Sequence, residues 1–192
     1  MREPLSRERL VVTARTTIEH DGVDGLSLRG LARELGVTAP ALYAHVDGKD
    51  DLLTEIASTH FELLISRFDA IDDEDPLDRI RALCRAYVDH ALDAPALFHL
   101  MFRFPPRPVG PVEAFPPAER AYAAAEAATR SAVESGALAV EDPSVASMAM
   151  WAAVHGVAEV GLLGFADRQA IGDLLDAVVD TMLVGFGAEE ER

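Results

Sequence analysis

Helix signals run through almost the whole sequence and limit the folds that it can adopt. Apolar residues recur three and four positions apart in successive segments, and N-cap residues and C-terminal glycines separate these segments. Few segments show the alternation that is typical of a strand. The pattern therefore predicts an all-α fold. The predicted helices cover approximately residues 6–20, 27–35, 38–45, 48–68, 76–92, 96–102, 118–135, 143–164 and 167–186.

Composition excludes several other classes of protein. The 192 residues are 49% hydrophobic and 26% charged, which is typical of globular domains and not of disordered chains. Because Cys84 is the single cysteine, the chain has neither an internal disulfide framework nor a cysteine-rich zinc site. Residues 1–12 lack the apolar stretch of a signal peptide, so we expect a cytoplasmic protein. We also expect it to use no cofactor.

The net charge of −16 is unevenly distributed along the chain. Residues 1–50 contain seven basic and eight acidic residues, whereas residues 51–192 contain ten basic and 25 acidic residues. A surface as acidic as that of the second part repels nucleic acids and anionic membranes. If the chain binds DNA, it must do so through a local patch in its nearly neutral first part.

Residues 27–52 contain two short predicted helices that meet at a tight turn, Gly36-Val37-Thr38. This arrangement predicts a helix-turn-helix, whose second helix enters the major groove of DNA. A helix of about seven residues is not stable alone, so neighbouring helices must support it. The small side chain of Ala32 lets the two helices approach each other. The predicted apolar core of the motif consists of Leu28, Leu31, Leu35, Val37 and Leu42.

These residues resemble the TetR family of bacterial transcription regulators. The matching residues are Leu31-Ala32, Leu35-Gly36-Val37-Thr38, Ala41-Leu42-Tyr43, His45 and Lys49 to Leu52. Val46 departs from the pattern, since the family usually has an aromatic residue there. Trp151 with His155-Gly156 resembles a signature of one branch of the family's ligand-binding domains. The resemblance implies a DNA-binding domain over 1–50, a connecting helix over 48–70, and a helical ligand-binding and dimerisation domain over 71–192.

The resemblance and simple chemistry together assign roles in DNA binding. Lys49 stands at a helix start, where a cation opposes the helix dipole unless it has an anionic partner such as a phosphate. Tyr43 and His45 are expected to donate hydrogen bonds to phosphates. Thr38 is expected to be an N-cap near a phosphate, and Arg29 can reach a guanine. The residues expected to face the bases are Ala39, Pro40, Ala41 and Ala44.

Each of these assignments has a simpler alternative. Tyr43 can be a packing aromatic, His45 a solvated surface histidine, and Lys49 an ordinary cation at a helix start. Three alanines on the proposed base-facing surface also offer little hydrogen bonding. Recognition of the DNA sequence would then depend on Arg29, on contacts with thymine methyl groups and on DNA shape.

The resemblance implies that the C-terminal region forms a homodimer and binds an effector. The helices over 143–164 and 168–186 would pair with their copies in a four-helix bundle. Candidates for that bundle core or for the pocket are Met148, Trp151, Leu162, Leu174, Val178 and Met182. The pocket itself is expected among residues 76–135 and the helix of Trp151. Its candidate lining residues are Tyr87, Phe98, Met101, Phe102, Trp151 and His155.

The expected effector is small, mostly apolar, and neutral or cationic, because an anion would approach against the negative field of residues 51–192. The proline-rich segment 103–117 is predicted to be a long loop and a candidate gate for the pocket. Plain core packing is the alternative for each apolar candidate. For His155, a structural role is the stronger interpretation.

Other functions have less support in the sequence. It contains no G-x-S-x-G motif, glycine-rich phosphate loop or H-E-x-x-H motif, and Cys84 lacks the local features of a nucleophile. His155 and Glu159 share a helix face, but a lone His/Glu pair is more often structural than metal-binding. The main alternative is a helical interaction protein whose helix-turn-helix binds another protein. The net charge slightly favours it, whereas the predicted phosphate contacts argue against it.

Residues 145–165 are long and apolar enough for a transmembrane helix. Their alanine- and glycine-rich composition, the polar residues Ser147, His155 and Glu159, and the absence of a Lys/Arg bias at the flanks favour a helix of the core or of a subunit interface. We therefore expect no membrane partner.

Overall fold

The computed structural model describes residues 5–103 and 115–187, and within these ranges the fold is all-α, as predicted. The helices are α1 (Arg7–Gly25), α2 (Leu28–Leu35), α3 (Ala39–Tyr43), α4 (Lys49–Asp69), α5 (Pro76–Asp93), α6 (Pro95–Arg103), α7 (Pro116–Glu134), α8 (Pro143–Leu162) and α9 (Arg168–Phe186).

Capping side chains fix many of the helix starts. Side-chain oxygens of the N-cap residues accept hydrogen bonds of 2.8–3.4 Å from backbone N–H groups two or three residues later, which satisfies donors that a helix start leaves unpaired. The residues with this geometry include Ser27, Thr38, Asp75, Asp142 and Asp167.

Two predicted boundaries differ from the structure. The first helix continues to Gly25, although Gly22 interrupts its helical backbone with a φ of +72°, a conformation that favours glycine. The loop that was predicted over 103–117 is shorter in the structure, because helices extend into both of its ends. Arg103 ends α6, and Pro116 and Pro117 lie in the first turn of α7, where a missing N–H costs the helix nothing. Residues 104–114 of that loop lie outside the described residues.

The chain divides into two compact units. The first comprises residues 1–62 and 94–115, and its described part has one apolar core built from α1, α2, α3, α4 and α6. Leu97 and Leu100 of α6 are buried in this core with Leu10 and Ile18 of α1. The domain predicted over 71–192 includes α6, whereas in the structure this helix packs in the first unit. Apolar spacing shows which face of α6 is buried but not which core receives it.

The second unit comprises residues 63–93 and 116–192 and is built around α5, α7, α8 and α9. A row of ion pairs joins α5 to α9. Arg81 pairs with Asp180 at 3.0 Å, Arg85 pairs with Asp176, and Arg168 bridges Asp89 at 2.9 Å and Asp93 at 2.7 Å. We call these contacts the α5–α9 ladder. Its basic and acidic members on α5 are spaced four residues apart, so they share one helix face.

Large apolar side chains remain exposed on α8, on α9 and on the connection between them. Val145, Leu163, Phe165 and Val184 are 63–81% exposed in the single chain. By length and composition alone, α8 is also the one described helix that qualifies as a membrane span. Its opposite face packs inside the second unit through residues such as Val154.

Candidate nucleic-acid interface and effector residues

The helix-turn-helix predicted from residues 27–52 is present in the first unit. Gly36 ends α2 in the left-handed conformation, with a φ of +69°. Its N–H and that of Val37 donate to the carbonyl groups of Arg33 and Ala32, so the chain turns within three residues. α3 then starts after Thr38, whose Oγ1 accepts a hydrogen bond from the N–H of Ala41 at 3.4 Å.

One face of α3 is anchored and the other is exposed. Leu42 is fully buried and Val46 is 2% exposed, and both belong to the apolar core of the first unit. Valine therefore fills a core position where the family pattern usually has an aromatic residue. Tyr43, by contrast, is 55% exposed.

The predicted DNA contacts lie on or beside this exposed face. Thr38, Pro40, Ala41 and Ala44 are exposed like Tyr43, whereas Ala39 and His45 are half-buried. Arg29 is exposed in the first turn of α2. Exposure alone does not test a contact with DNA, so the roles of these residues in DNA binding stay predictions.

Lys49 has a protein partner that the sequence analysis missed. Its Nζ donates a 2.9 Å hydrogen bond to the carbonyl oxygen of Val23, near the end of α1. A lysine ammonium has three N–H donors, so this contact leaves donor capacity for a phosphate. Because the acceptor is a backbone atom 26 residues away, no side-chain pattern in the sequence could have revealed it.

Arg7 also contacts this region, although no motif in the sequence marks it. Its guanidinium donates to the carbonyl oxygen of His45 at 2.6 Å, to both carboxylate oxygens of Asp51 at 3.1–3.2 Å, and to Glu55. The pKa of Asp51 is lowered, chiefly by its hydrogen bond with Arg7. One side chain of α1 thus contacts both the turn after α3 and the first two turns of α4.

In the second unit, three of the predicted effector residues lie together. The hydroxyl of Tyr87 on α5 is 2.7 Å from Nδ1 of His155 on α8. The ring of Trp151 stacks on His155 with a centroid distance of 5.2 Å, and Nε2 of His155 lies 3.7 Å from Glu159. Tyr87 is buried, which raises the pKa of its phenol. The group can therefore offer both aromatic surface and polar atoms.

The other three predicted effector residues belong to the first unit. Phe98 and Met101 are buried on α6, and Phe102 is half-buried. The ring of Phe102 packs edge-on against Phe98 at 5.1 Å and against Phe61 at 6.0 Å. These contacts form an aromatic cluster that could pack a core or face a ligand, so the effector role of these residues stays a prediction.

The described residues offer little for catalysis. Burial raises the pKa of the Cys84 thiol to about 12, so this group is not a thiolate at neutral pH. Over residues 5–103 and 115–187, no group of three or more His, Cys, Asp or Glu side chains could hold a metal ion.

Known proteins are similar to this chain in sequence or in architecture. An uncharacterized HTH-type transcriptional regulator of Mycobacterium tuberculosis, Rv0681, is 29% identical over 190 residues, which make up 98% of this chain and 83% of the relative. A protein of unknown function from Rhodococcus sp. RHA1 has a TM-score of 0.84, with 29% identity and 97% coverage of both chains. RolR in complex with its ligand resorcinol has a TM-score of 0.68, with 20% identity over 95% of this chain and 88% of RolR.

Two family patterns also match the sequence. Residues 10–56 match the family described as "Bacterial regulatory proteins, tetR family", and residues 80–185 match the "Tetracyclin repressor-like, C-terminal domain". The first match contains the helix-turn-helix and the second covers more than half of the chain. The chain therefore belongs to the TetR family of bacterial transcription regulators, which are DNA-binding proteins and not enzymes.

Proposed function

We propose that this regulator is a ligand-responsive repressor that binds a near-palindromic operator as a homodimer in the cytoplasm. The observation that best supports this mode of DNA binding is the exposed face of α3, which lies opposite the buried Leu42. Repression is proposed because it is the usual mode of action in the family, an argument from analogy.

In this proposal, phosphate contacts position the protein and a few groups read the bases. Tyr43, His45 and Lys49 contact phosphates, with Thr38 at the start of α3. Arg29 approaches a guanine. The surface formed by Ala39, Pro40, Ala41 and Ala44 meets base edges through small apolar groups, so thymine methyl groups and DNA shape supply much of the specificity.

The exposed apolar residues of α8 and α9 support a homodimer. Isolated exposed apolar residues are common, but several on two helices that pack together are typical of an interface. Met148 and Leu174 are 47% and 38% exposed, and Trp151, Leu162, Val178 and Met182 are half-buried. Pairing with a second copy would cover them in a four-helix bundle. The two recognition helices would then reach half-sites whose centres are about 34–36 Å apart.

The group formed by Tyr87, Trp151 and His155 supports a small effector with aromatic or apolar surface and one or two polar groups. Phe98, Met101 and Phe102 of the first unit stay candidate effector residues by the family resemblance alone. RolR, a protein of the same fold, has been solved with resorcinol, a small neutral aromatic. An effector acts by binding more tightly to a dimer whose two DNA-binding units are spaced wrongly for the operator.

Selection of bound sequences from random duplex DNA tests this proposal most directly. We expect the full-length protein to enrich a near-palindromic sequence with two half-sites one helical turn apart. The selected duplex then serves as the operator for binding assays. The absence of any enriched sequence would contradict the proposed operator binding.

A further inference from the structure

Arg7 lies at the junction of three elements in the first unit. The turn over 44–48 links the short helix α3 to α4, and its backbone carbonyl at His45 accepts the Arg7 Nη1 hydrogen bond of 2.6 Å. Asp51 reinforces the same turn, because its Oδ2 accepts both Arg7 and the backbone N–H of Asp47 at 3.0 Å. The guanidinium and this carboxylate therefore hold the turn together from two sides.

We infer that Arg7 is a positioning residue for DNA binding, which fixes the turn between α3 and α4 and thereby the spacing of Tyr43, His45 and Lys49, without contacting DNA itself. The inference rests on the phosphate contacts proposed above, since it explains how those contacts keep their relative positions. Tyr43 and His45 precede or enter the turn, and Lys49 follows it.

The geometry argues against a direct contact between Arg7 and a phosphate. A guanidinium has five N–H donors in one plane, and the hydrogen bonds to His45, Asp51 and Glu55 occupy four of them. Two carboxylates also flank the group, so its charge is locally compensated. A phosphate would have to displace partners that are already well placed.

The position needs an arginine and not merely a positive charge. The lysine side chain has a single nitrogen. It therefore cannot donate hydrogen bonds to a carbonyl oxygen and to two carboxylates at the same time, as the planar guanidinium does. A five-residue helix such as α3 has almost no stability of its own, so the rigidity of its exit depends on such external contacts. Lys49 adds a second contact between α1 and α4 through the Val23 carbonyl.

The test compares Arg7→Gln, Arg7→Lys and Asp51→Asn in the full-length protein with the duplex selected as above. Arg15→Gln is the matched control, because Arg15 also lies on α1 but its ion pair with Glu19 stays within that helix. Binding is measured at several salt concentrations, together with thermal unfolding followed by circular dichroism, and all assays run well below the unfolding transition.

We expect Arg7→Gln and Arg7→Lys to weaken operator binding by about three- to tenfold, because several exposed contacts that fix the turn are lost together. The slope of log affinity against log salt should fall by less than one unit, because Arg7 itself neutralises no phosphate and the contacts that it positions are weakened and not removed. Asp51→Asn should also weaken binding. By electrostatics alone this variant would bind DNA more tightly, because it removes a negative charge near the phosphates. Arg15→Gln should remain within about twofold of the wild type, as expected for an exposed ion pair.

Two results would overturn the inference. If Arg7→Lys binds like the wild type while Arg7→Gln loses affinity and about one unit of salt slope, Arg7 is a phosphate contact. If the Arg7 variants and Asp51→Asn all bind like the wild type, the contacts have no role in DNA binding. Failure of the proposed function gives a different result. The wild type would then select no DNA, or the Lys49→Ala variant would bind DNA with the affinity of the wild type.

Discussion

Lys49 occupies a position where a cation without an anionic partner is unfavourable. The N-terminus of α4 carries the positive end of the helix dipole, and Lys49 is its first residue. In the free protein, the carbonyl oxygen of Val23 offsets part of this cost. A DNA phosphate at the same helix end would offset more, because it carries a full negative charge and can accept from the helix N–H groups as well.

We expect Lys49→Ala to weaken binding to every DNA sequence by a similar factor, about tenfold, and to lower the salt slope by about one unit. Tyr43→Phe should cause a smaller loss that is likewise the same for all sequences, since it removes one phosphate hydrogen bond. Fluorescence anisotropy with the selected operator and an unrelated duplex measures both effects. Lys49→Arg, which keeps the charge, is the control, and an unchanged affinity of Lys49→Ala would contradict the proposed contact.

For the secondary-structure elements, local sequence signals predicted the helices well, whereas contacts between distant segments were not predicted. Caps such as Asp75, Asp142 and Asp167 act within three residues, so the sequence alone revealed the helix starts. The helix-turn-helix followed from Gly36 for the same reason. Packing of α6 against α1 and the hydrogen bond from Lys49 to Val23 join distant segments, and no local pattern encodes them.

Packing among α5, α8 and α9 depends on a small residue at Gly161. A Cβ atom there would lie 2.8 Å from Cδ2 of Leu92 on α5 and 3.4 Å from Cγ2 of Ile171 on α9. We expect Gly161→Val to lower the free energy of unfolding by about 1 kcal/mol, the lower end of the cost of overpacking, because the end of the Leu92 side chain can move aside.

Gly172→Ala provides the control for this substitution. Its added Cβ would make only an ordinary contact of 3.6 Å with Arg85, so the better helix propensity of alanine should stabilise α9 by up to about 1 kcal/mol. Urea unfolding at one fixed protein concentration measures both variants. A Gly161→Val protein as stable as the wild type would contradict the need for a small residue at this position.

For the whole molecule, the exposed apolar residues of α8 and α9 predict the oligomeric state. We expect light scattering to give twice the chain mass of 20.7 kDa at micromolar concentration. The double variant Met148→Glu/Leu174→Glu should be monomeric, because it places charges within the proposed bundle core. Leu63→Glu is the control, since Leu63 is a similarly exposed apolar residue of α4. A wild-type monomer would contradict the prediction.

The chain's only tryptophan, Trp151, gives a direct measurement of effector binding. Because its ring stacks on His155 near Tyr87, a ligand that enters this region should change its fluorescence. We expect mostly apolar, neutral or cationic compounds both to quench this signal and to release the operator. Trp151→Phe should abolish the fluorescence response, and release should still be detectable by anisotropy. Active compounds that are mainly polar anions would contradict the proposed effector class.

The α5–α9 ladder has a consequence for how this chain tolerates insertions and deletions. Arg81, Arg85, Asp89 and Asp93 follow a four-residue period on α5, and their partners on α9 are separated by multiples of four. One extra residue inside either helix would rotate everything beyond it by about 100° and remove the later pairs from register. Length changes between homologues that keep the ladder should therefore fall in the connections outside α5 and α9, such as residues 70–75 and 163–167.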